Sequence, residues 1–323
     1  MMFNSRSFAL GFLSLLLLLP GCERNTENVW PQKPGPKVLT SFAPIQSFVL
    51  GVAGDDAIVI PLMTAQGPHD HGDPTPEHLK LAKHADVLFI NGLGLDDKIA
   101  GRLKTASGNS TLNIRNLGNT LDKKYLLEGS CNHVVKPGQK HDHDHGTDGH
   151  IWLSADHARQ MVRSIRDEMK RLDPAHAAGY DARAADYLAK LEELEAYGKN
   201  LIMNKTENKI IAFHDSLRYL EQCYGVKIAG YIQREPGEEP SAERLKEIIQ
   251  LCKDEKVRLI AVEPQFPANT SAKTILSALQ AAGIDAAFVE IDPLETADEK
   301  DLTADFYLRK MRSNLDNLAK ALR

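Results

Sequence analysis

The 323-residue sequence has no block of basic residues. Its 39 lysines and arginines are scattered among 44 acidic residues, for a net charge of −5. Nucleic-acid binding by phosphate neutralisation is therefore not expected. One apolar run, 8–19, stands out. It is too short to span a bilayer comfortably, and with no second run a polytopic membrane protein is excluded. No P-loop is present, and Gly92-Leu93-Gly94 lacks the later glycine and the context of a dinucleotide fingerprint. Cysteine is scarce: Cys22, Cys131, Cys223 and Cys252 are all there is. What the chain does have is an ordinary globular balance, 42% hydrophobic and 26% charged, which rules out wholesale disorder. It also has twelve histidines, many crowded into two short stretches.

The N-terminus combines one cation, Arg6, with the apolar run and a Pro20-Gly21-Cys22 ending, the layout of a secretory signal peptide. Leu19-Pro20-Gly21-Cys22 resembles a bacterial lipobox, which implies export and a lipidated Cys22 as the first mature residue. Residues 23–37 are polar and proline-rich, as in a semi-extended tether. With Cys22 lipidated, three cysteines remain, enough for one disulfide at most. Cys223 and Cys252 share a half of the chain and are the favoured pair, with free thiols the alternative.

From Lys37 onward, short apolar runs alternate with helical patterns. Strands are expected at 38–42, 57–61 and 86–91, with helices at 44–53, 76–85 and 95–104. Nearly all of 155–204 favours helix, divided at Asp173-Pro174, and the segment 174–203 predicts a helix long enough to reach across two lobes. Alternation resumes with strands at 209–213, 226–232, 258–262 and 286–291, and the chain closes with an amphipathic helix over 303–322. The expected fold class is α/β: two doubly wound lobes with parallel sheets, 38–157 and 206–323, joined by helices over 158–205.

Four metal-competent residues fall where loops leave predicted elements. His69 lies in Gly67-Pro68-His69-Asp70, after the second strand. His150 precedes the long helical region, His214 follows strand 209–213, and Asp292 follows strand 286–291. Ligands of doubly wound sheets gather beyond the carboxyl ends of the strands. Three imidazoles and one carboxylate make a tetrahedral set for a borderline cation such as Zn²⁺. Asp70 and Asp215 are candidates to orient imidazoles, or else to cap the turns that follow them. The segment 133–148 is a second signal: His141, His143 and His145 alternate with aspartates in a stretch too polar to pack, compositionally a metal-capturing loop. The remaining histidines, His78, His84, His157 and His176, read as surface residues. His214-Asp215-Ser216 is not a catalytic triad, because adjacent side chains point apart.

Taken in order, GPHDHGDPTPEHL, GHIWLS, FHDSLRYLEQCYG, VEPQF and EIDPL resemble the motifs of the cluster A-I metal-binding lipoproteins of ABC importers, and within them the zinc-handling ZnuA type. The resemblance runs from Val38 to the end. It implies two α/β lobes bridged by a rigid helix, no enzymatic activity, and a periplasmic or extracytoplasmic, lipid-tethered monomer. Its cargo would be Zn²⁺, carried in the cleft and delivered to an ABC permease. It places the ligands on His69, His150, His214 and Asp292, with His71 a competitor for the first position. His69 is favoured because it follows Pro68, as in the family. Manganese-type relatives carry a carboxylate at the position of His214, so imidazole there favours zinc and leaves Mn²⁺ the runner-up. The other functional classes are a metal-binding adhesin or zinc-sequestering protein without a transporter and, more remotely, a zinc hydrolase with Asp292 as general base. For a site built on histidines, affinity is expected to fall as pH drops through about 6.5.

Overall fold

The structure, a computed structural model, describes residues 29–63, 73–129, 146–233, 240–264 and 270–323. His69, His71, Asp70, the lipobox with Cys22, and His141, His143 and His145 lie outside the described residues.

In the first lobe, β1 (Lys37–Thr40), β2 (Ile58–Pro61), β3 (Val87–Ile90) and β4 (Asn113–Asn116) form a parallel sheet in the order β2-β1-β3-β4. Helices α1 (Ala43–Ala53), α2 (Pro76–Ala82) and α3 (Asp97–Ser107) make the crossovers. The second lobe repeats the plan. Strands β5 (Lys209–Ala212), β6 (Lys227–Tyr231), β7 (Leu259–Val262) and β8 (Ala287–Glu290) lie in the order β6-β5-β7-β8, again parallel. They are linked by α6 (Arg218–Tyr224), α7 (Ala242–Glu255) and α8 (Thr270–Ala281). The interior strands β3 (VLFI) and β7 (LIAV) are buried at every position, as the uninterrupted apolar runs of strands covered on both faces should be. The edge strand β4 (NIRN) is half-buried throughout. It has no apolar run to announce it, and the sequence pattern misses it.

Between the lobes run α4 (Ala155–Leu172), α5 (Ala177–Ile202) and, from the C-terminus, α9 (Phe306–Ala321). Ser154 caps α4 by accepting from the His157 amide, and Ser241 caps α7 by accepting from that of Arg244. Pro174 opens a 3₁₀ turn, Pro174–His176, and the helix proper starts three residues later than the sequence suggests. The 26 residues of α5 span about 39 Å at the usual rise.

Two glycines let α5 seat on both lobes. At Gly51 of α1 a Cβ would fall 2.4 Å from the Tyr187 ring of α5. At Gly198 of α5 it would fall 2.5 Å from Tyr224 of α6 and 2.7 Å from Leu315 of α9. No other residue permits these approaches without displacing a buried ring. Polar ties reinforce the seating: Arg183 donates to the Val52 carbonyl (2.7 Å) and pairs with Asp56 (2.7 Å), and Tyr197 donates to Asp316 (2.5 Å). A single cluster of buried apolar residues therefore continues from Val38 and Leu88 through Met161 and Leu191 to Ile210 and Leu315, while a second fills the outer part of the C-terminal lobe. Cys223 and Cys252, the favoured disulfide pair, are both free thiols, one on α6 and the other on α7.

Candidate metal centre

In each sheet the chain order reverses beside the first strand, between β1 and β3 in one lobe and between β5 and β7 in the other. Loops leaving the carboxyl ends of such neighbours diverge and open a crevice. His214 lies two residues beyond the end of β5, and Glu263 directly follows β7. Glu295 sits in the loop beyond β8. His150, on the connection into α4, reaches the same crevice from the other lobe, immediately before the 3₁₀ turn Ile151–Leu153.

His150, His214 and Glu295 converge there, all three buried, with one ligand atom from each lying within 4.8 Å of the others. The Nε2 atoms of His150 and His214 lie 3.4 and 3.5 Å from the same oxygen, Glu295 Oε1. Donors bound to one tetrahedral cation at zinc-like bond lengths are separated by about 3.4 Å, so these spacings suit a shared ion. Each imidazole is held from behind by a carboxylate. Nδ1 of His150 is 2.8 Å from Asp148 Oδ1, and Nδ1 of His214 is 3.0 Å from Glu263 Oε1. An ionised carboxylate only accepts hydrogen bonds, so Asp148 holds a proton on His150 Nδ1 and turns Nε2 toward the crevice, while Glu263 lies within ion-pairing distance of His214 Nδ1.

The same carboxylates set the proton affinity of the pair. Burial alone would drive the His150 imidazole below its ordinary value. Hydrogen bonds to Asp148 and Glu295 overcome that and push it up to about 9. His214 behaves alike: burial opposes the charge, Glu263 and Glu295 favour it more strongly, and the value rises to about 10.

The frame around the imidazoles is polar and densely tied. Asn91, at the end of β3, donates from its side chain to the Gly149 carbonyl (2.9 Å), fixing the residue before His150. Tyr219 accepts from the Leu127 amide (2.9 Å) and donates to the Asp148 carbonyl (3.1 Å). Two short flanks, 127–129 and 146–148, pair through an antiparallel bridge between Glu128 and Thr147. The Asp148 amide reaches the Leu127 carbonyl, and that of Gly129 the Gly146 carbonyl. The two flanks thus form a closed neck whose last residue, Asp148, supports His150. Below the site, Trp152 Nε1 donates to the Pro293 carbonyl (2.7 Å), and Tyr307 of α9 donates to the Trp152 carbonyl (2.6 Å). The segment bearing His150 is thereby joined to the one bearing Glu295.

With this geometry in view, similarity to known proteins decides the family. The model of ZnuA, described as the periplasmic component A of a zinc-uptake complex, matches residues 38–321. The chain belongs to the ZnuA family. That is a family of metal-binding uptake components, not of enzymes. The zinc-binding lipoprotein AdcA of Streptococcus pneumoniae (strain ATCC BAA-255 / R6) is 30% identical over 294 residues, covering 87% of this chain and 54% of AdcA. The chain spans about half the length of the AdcA proteins it matches. The manganese-binding lipoprotein MntA of Halalkalibacterium halodurans is 24% identical over 321 residues, 98% of each chain. Among solved structures, a crystal structure of ZnuA superposes with a TM-score of 0.71 at 26% identity, covering 89% of this chain and 98% of that one. The two-lobed α/β fold with its long helix is the architecture of these ZnuA-type proteins.

Within this ZnuA-family chain, the structure departs from sequence expectation at three places. Asp292 is not in the group that converges with the imidazoles: its Oδ1 accepts the Leu294 amide (2.8 Å) and its Oδ2 pairs with Lys310 of α9 (2.9 Å). The carboxylate that meets the imidazoles is Glu295, three residues on. The carboxylates behind the imidazoles are Asp148 and Glu263; of the two sequence candidates, Asp215 opens the 3₁₀ turn Asp215–Leu217 and Asp70 lies outside the described residues. Glu263 carried a usable signal, since it directly follows a strand within the VEPQF motif. His157 is not on the surface either: it is buried with its ring 5.1 Å from that of Tyr219.

Proposed function

We propose that the chain is the extracytoplasmic solute-binding component of a metal importer, tethered by lipid on Cys22, which captures Zn²⁺ as a monomer and hands it to an ABC permease. The cargo is held by His150, His214 and Glu295, and His69 supplies the third imidazole. The observation that carries this is the approach of two buried Nε2 atoms to one carboxylate oxygen at 3.4 and 3.5 Å, each imidazole backed by its own carboxylate.

The charges support the same reading. Among the described residues, Asp148, Glu263 and Glu295 contribute three negative charges, and Arg218 lies 3.5 Å from Asp148. With both imidazoles protonated the group is neutral. Replacing those two protons by one dication leaves it neutral, so the crevice accepts the ion without burying an uncompensated charge. Nitrogen donors suit a borderline ion better than a hard one. Mn²⁺ is the second reading, favoured by the end-to-end similarity to MntA. Metal identification by mass spectrometry on protein purified without chelator, followed by competition titration, tests the proposal. Zinc at one equivalent is expected, and manganese at one equivalent would install the alternative.

Two further outcomes are expected. Near neutral pH the metal-free imidazoles, at about 9 and about 10, carry protons that zinc must displace. Calorimetry in buffers of different ionisation enthalpy should report release of about two protons per zinc. Apparent affinity should keep rising with pH towards 9, where unperturbed imidazoles would level off above about 6.5. Fewer than one proton released at neutral pH would contradict the assignment. Deleting 133–145, which spares Asp148 and the neck, should remove weaker zinc equivalents contributed by His141, His143 and His145 and leave one tight site. Loss of the tight site with that segment would move the cargo out of the crevice.

A further inference from the structure

Asp292 has the residue type and strand-end place of a ligand, yet its polar groups are committed elsewhere. Its side chain accepts the Leu294 amide and pairs with Lys310. Its own amide donates to Asn314 Oδ1 (2.8 Å), and its carbonyl accepts from Asn314 Nδ2 (2.6 Å). The next carbonyl, that of Pro293, accepts from Trp152. The turn so pinned carries Leu294 at φ +64°, a left-handed conformation that a leucine adopts only when its surroundings enforce it. Glu295 is the next residue and the one that meets the imidazoles.

From this we infer that Asp292 is a positioning residue: by holding the Leu294 amide against α9 it aims Glu295 at His150 and His214, and it does so from outside the coordination set. The inference rests on the metal-site reading above. Two consequences follow for the ion. The acidic donor is set in place before the ion arrives, so little ordering opposes binding. Lys310 neutralises Asp292 and keeps a second carboxylate off the ion. The donor set then stays rich in nitrogen, which disfavours harder, oxygen-seeking cations.

The test compares Asp292→Asn, Asp292→Ala, Glu295→Gln and the double variant Asp292→Ala/Glu295→Gln in the full chain. Zinc affinity is measured by competition with a chromophoric chelator, and the donor set by the visible absorption of bound Co²⁺. Asparagine retains an oxygen for the Leu294 amide and should restore most of the affinity that alanine loses, with a wild-type Co²⁺ spectrum. Asp292→Ala should lose about tenfold to hundredfold, the range for partners that orient a ligand. Its Co²⁺ spectrum should approach that of Glu295→Gln, and the double variant should bind little worse than Glu295→Gln alone, because both changes act through one carboxylate. If Asp292→Asn is as damaging as Glu295→Gln, or if the losses add in full, Asp292 contacts the metal itself and the inference is overturned. Should Asp292→Ala fail to fold, the asparagine and glutamine variants still decide the matter. Zinc binding indifferent to Glu295→Gln and to loss of His214 is a different outcome: it would remove the site itself.

Discussion

Replacing His214 by alanine is expected to weaken zinc binding by well over the tenfold to hundredfold (about 1.4 to 2.8 kcal/mol) that an outer partner of a metal ligand is worth. The imidazole is buried between Glu263 and Glu295. Its removal deletes a donor and leaves two buried carboxylates facing a space that only water can fill. Some affinity should survive through His150 and Glu295, so the variant becomes a weak binder and not an inert one. Competition titration measures the loss, and a change smaller than tenfold would take His214 out of the site. The folded state should tolerate the change better than the binding does, because the backbone at His214 is extended and needs no side chain to keep it so.

The second large effect concerns stability. Trp152 is fully buried, packs edge-on against Phe42 with ring centroids 4.9 Å apart, and lies 5.3 Å from the His150 ring. Trp152→Ala should cost about 3–5 kcal/mol, the range for emptying a large aromatic site. Urea unfolding measures this, and a loss below about 1 kcal/mol would mean that the site collapses freely around the cavity. Trp152→Phe isolates the hydrogen bond to Pro293. It keeps most of the packing and orphans one buried carbonyl, at a cost of about 1–3 kcal/mol. Zinc affinity should fall in both variants, more in the alanine, because the indole joins the two segments that bear ligands. Unchanged affinity in a destabilised protein would show that the joint serves the fold alone.

Much of this arrangement is legible in the sequence. The parallel sheets follow from apolar runs bounded by helical patterns, and the histidines stand out because they sit where strands end. The choice between Asp292 and Glu295 is not legible. It is made by Asn314 and Lys310, 22 and 18 residues downstream on α9, and by a left-handed Leu294 that no local signal announces. The imidazole proton affinities are hidden for the same reason, since Glu263 lies 49 residues from His214. His157 reads as a surface residue because it follows a helix cap, yet it is buried with its ring against that of Tyr219 from the other lobe. Strand β4 escapes notice because an edge strand half-open to water needs no apolar run.

The neck formed by Glu128 and Thr147 bears on how such chains diversify. Its two sides are fastened to each other and, through Arg218 and Tyr219, to α6. The intervening polypeptide therefore begins and ends at fixed neighbouring points. Doubling the length of such an excursion adds only about 0.6 kcal/mol of closure entropy. A change of length between Gly129 and Gly146 should therefore cost little stability as long as the two flanks stay joined.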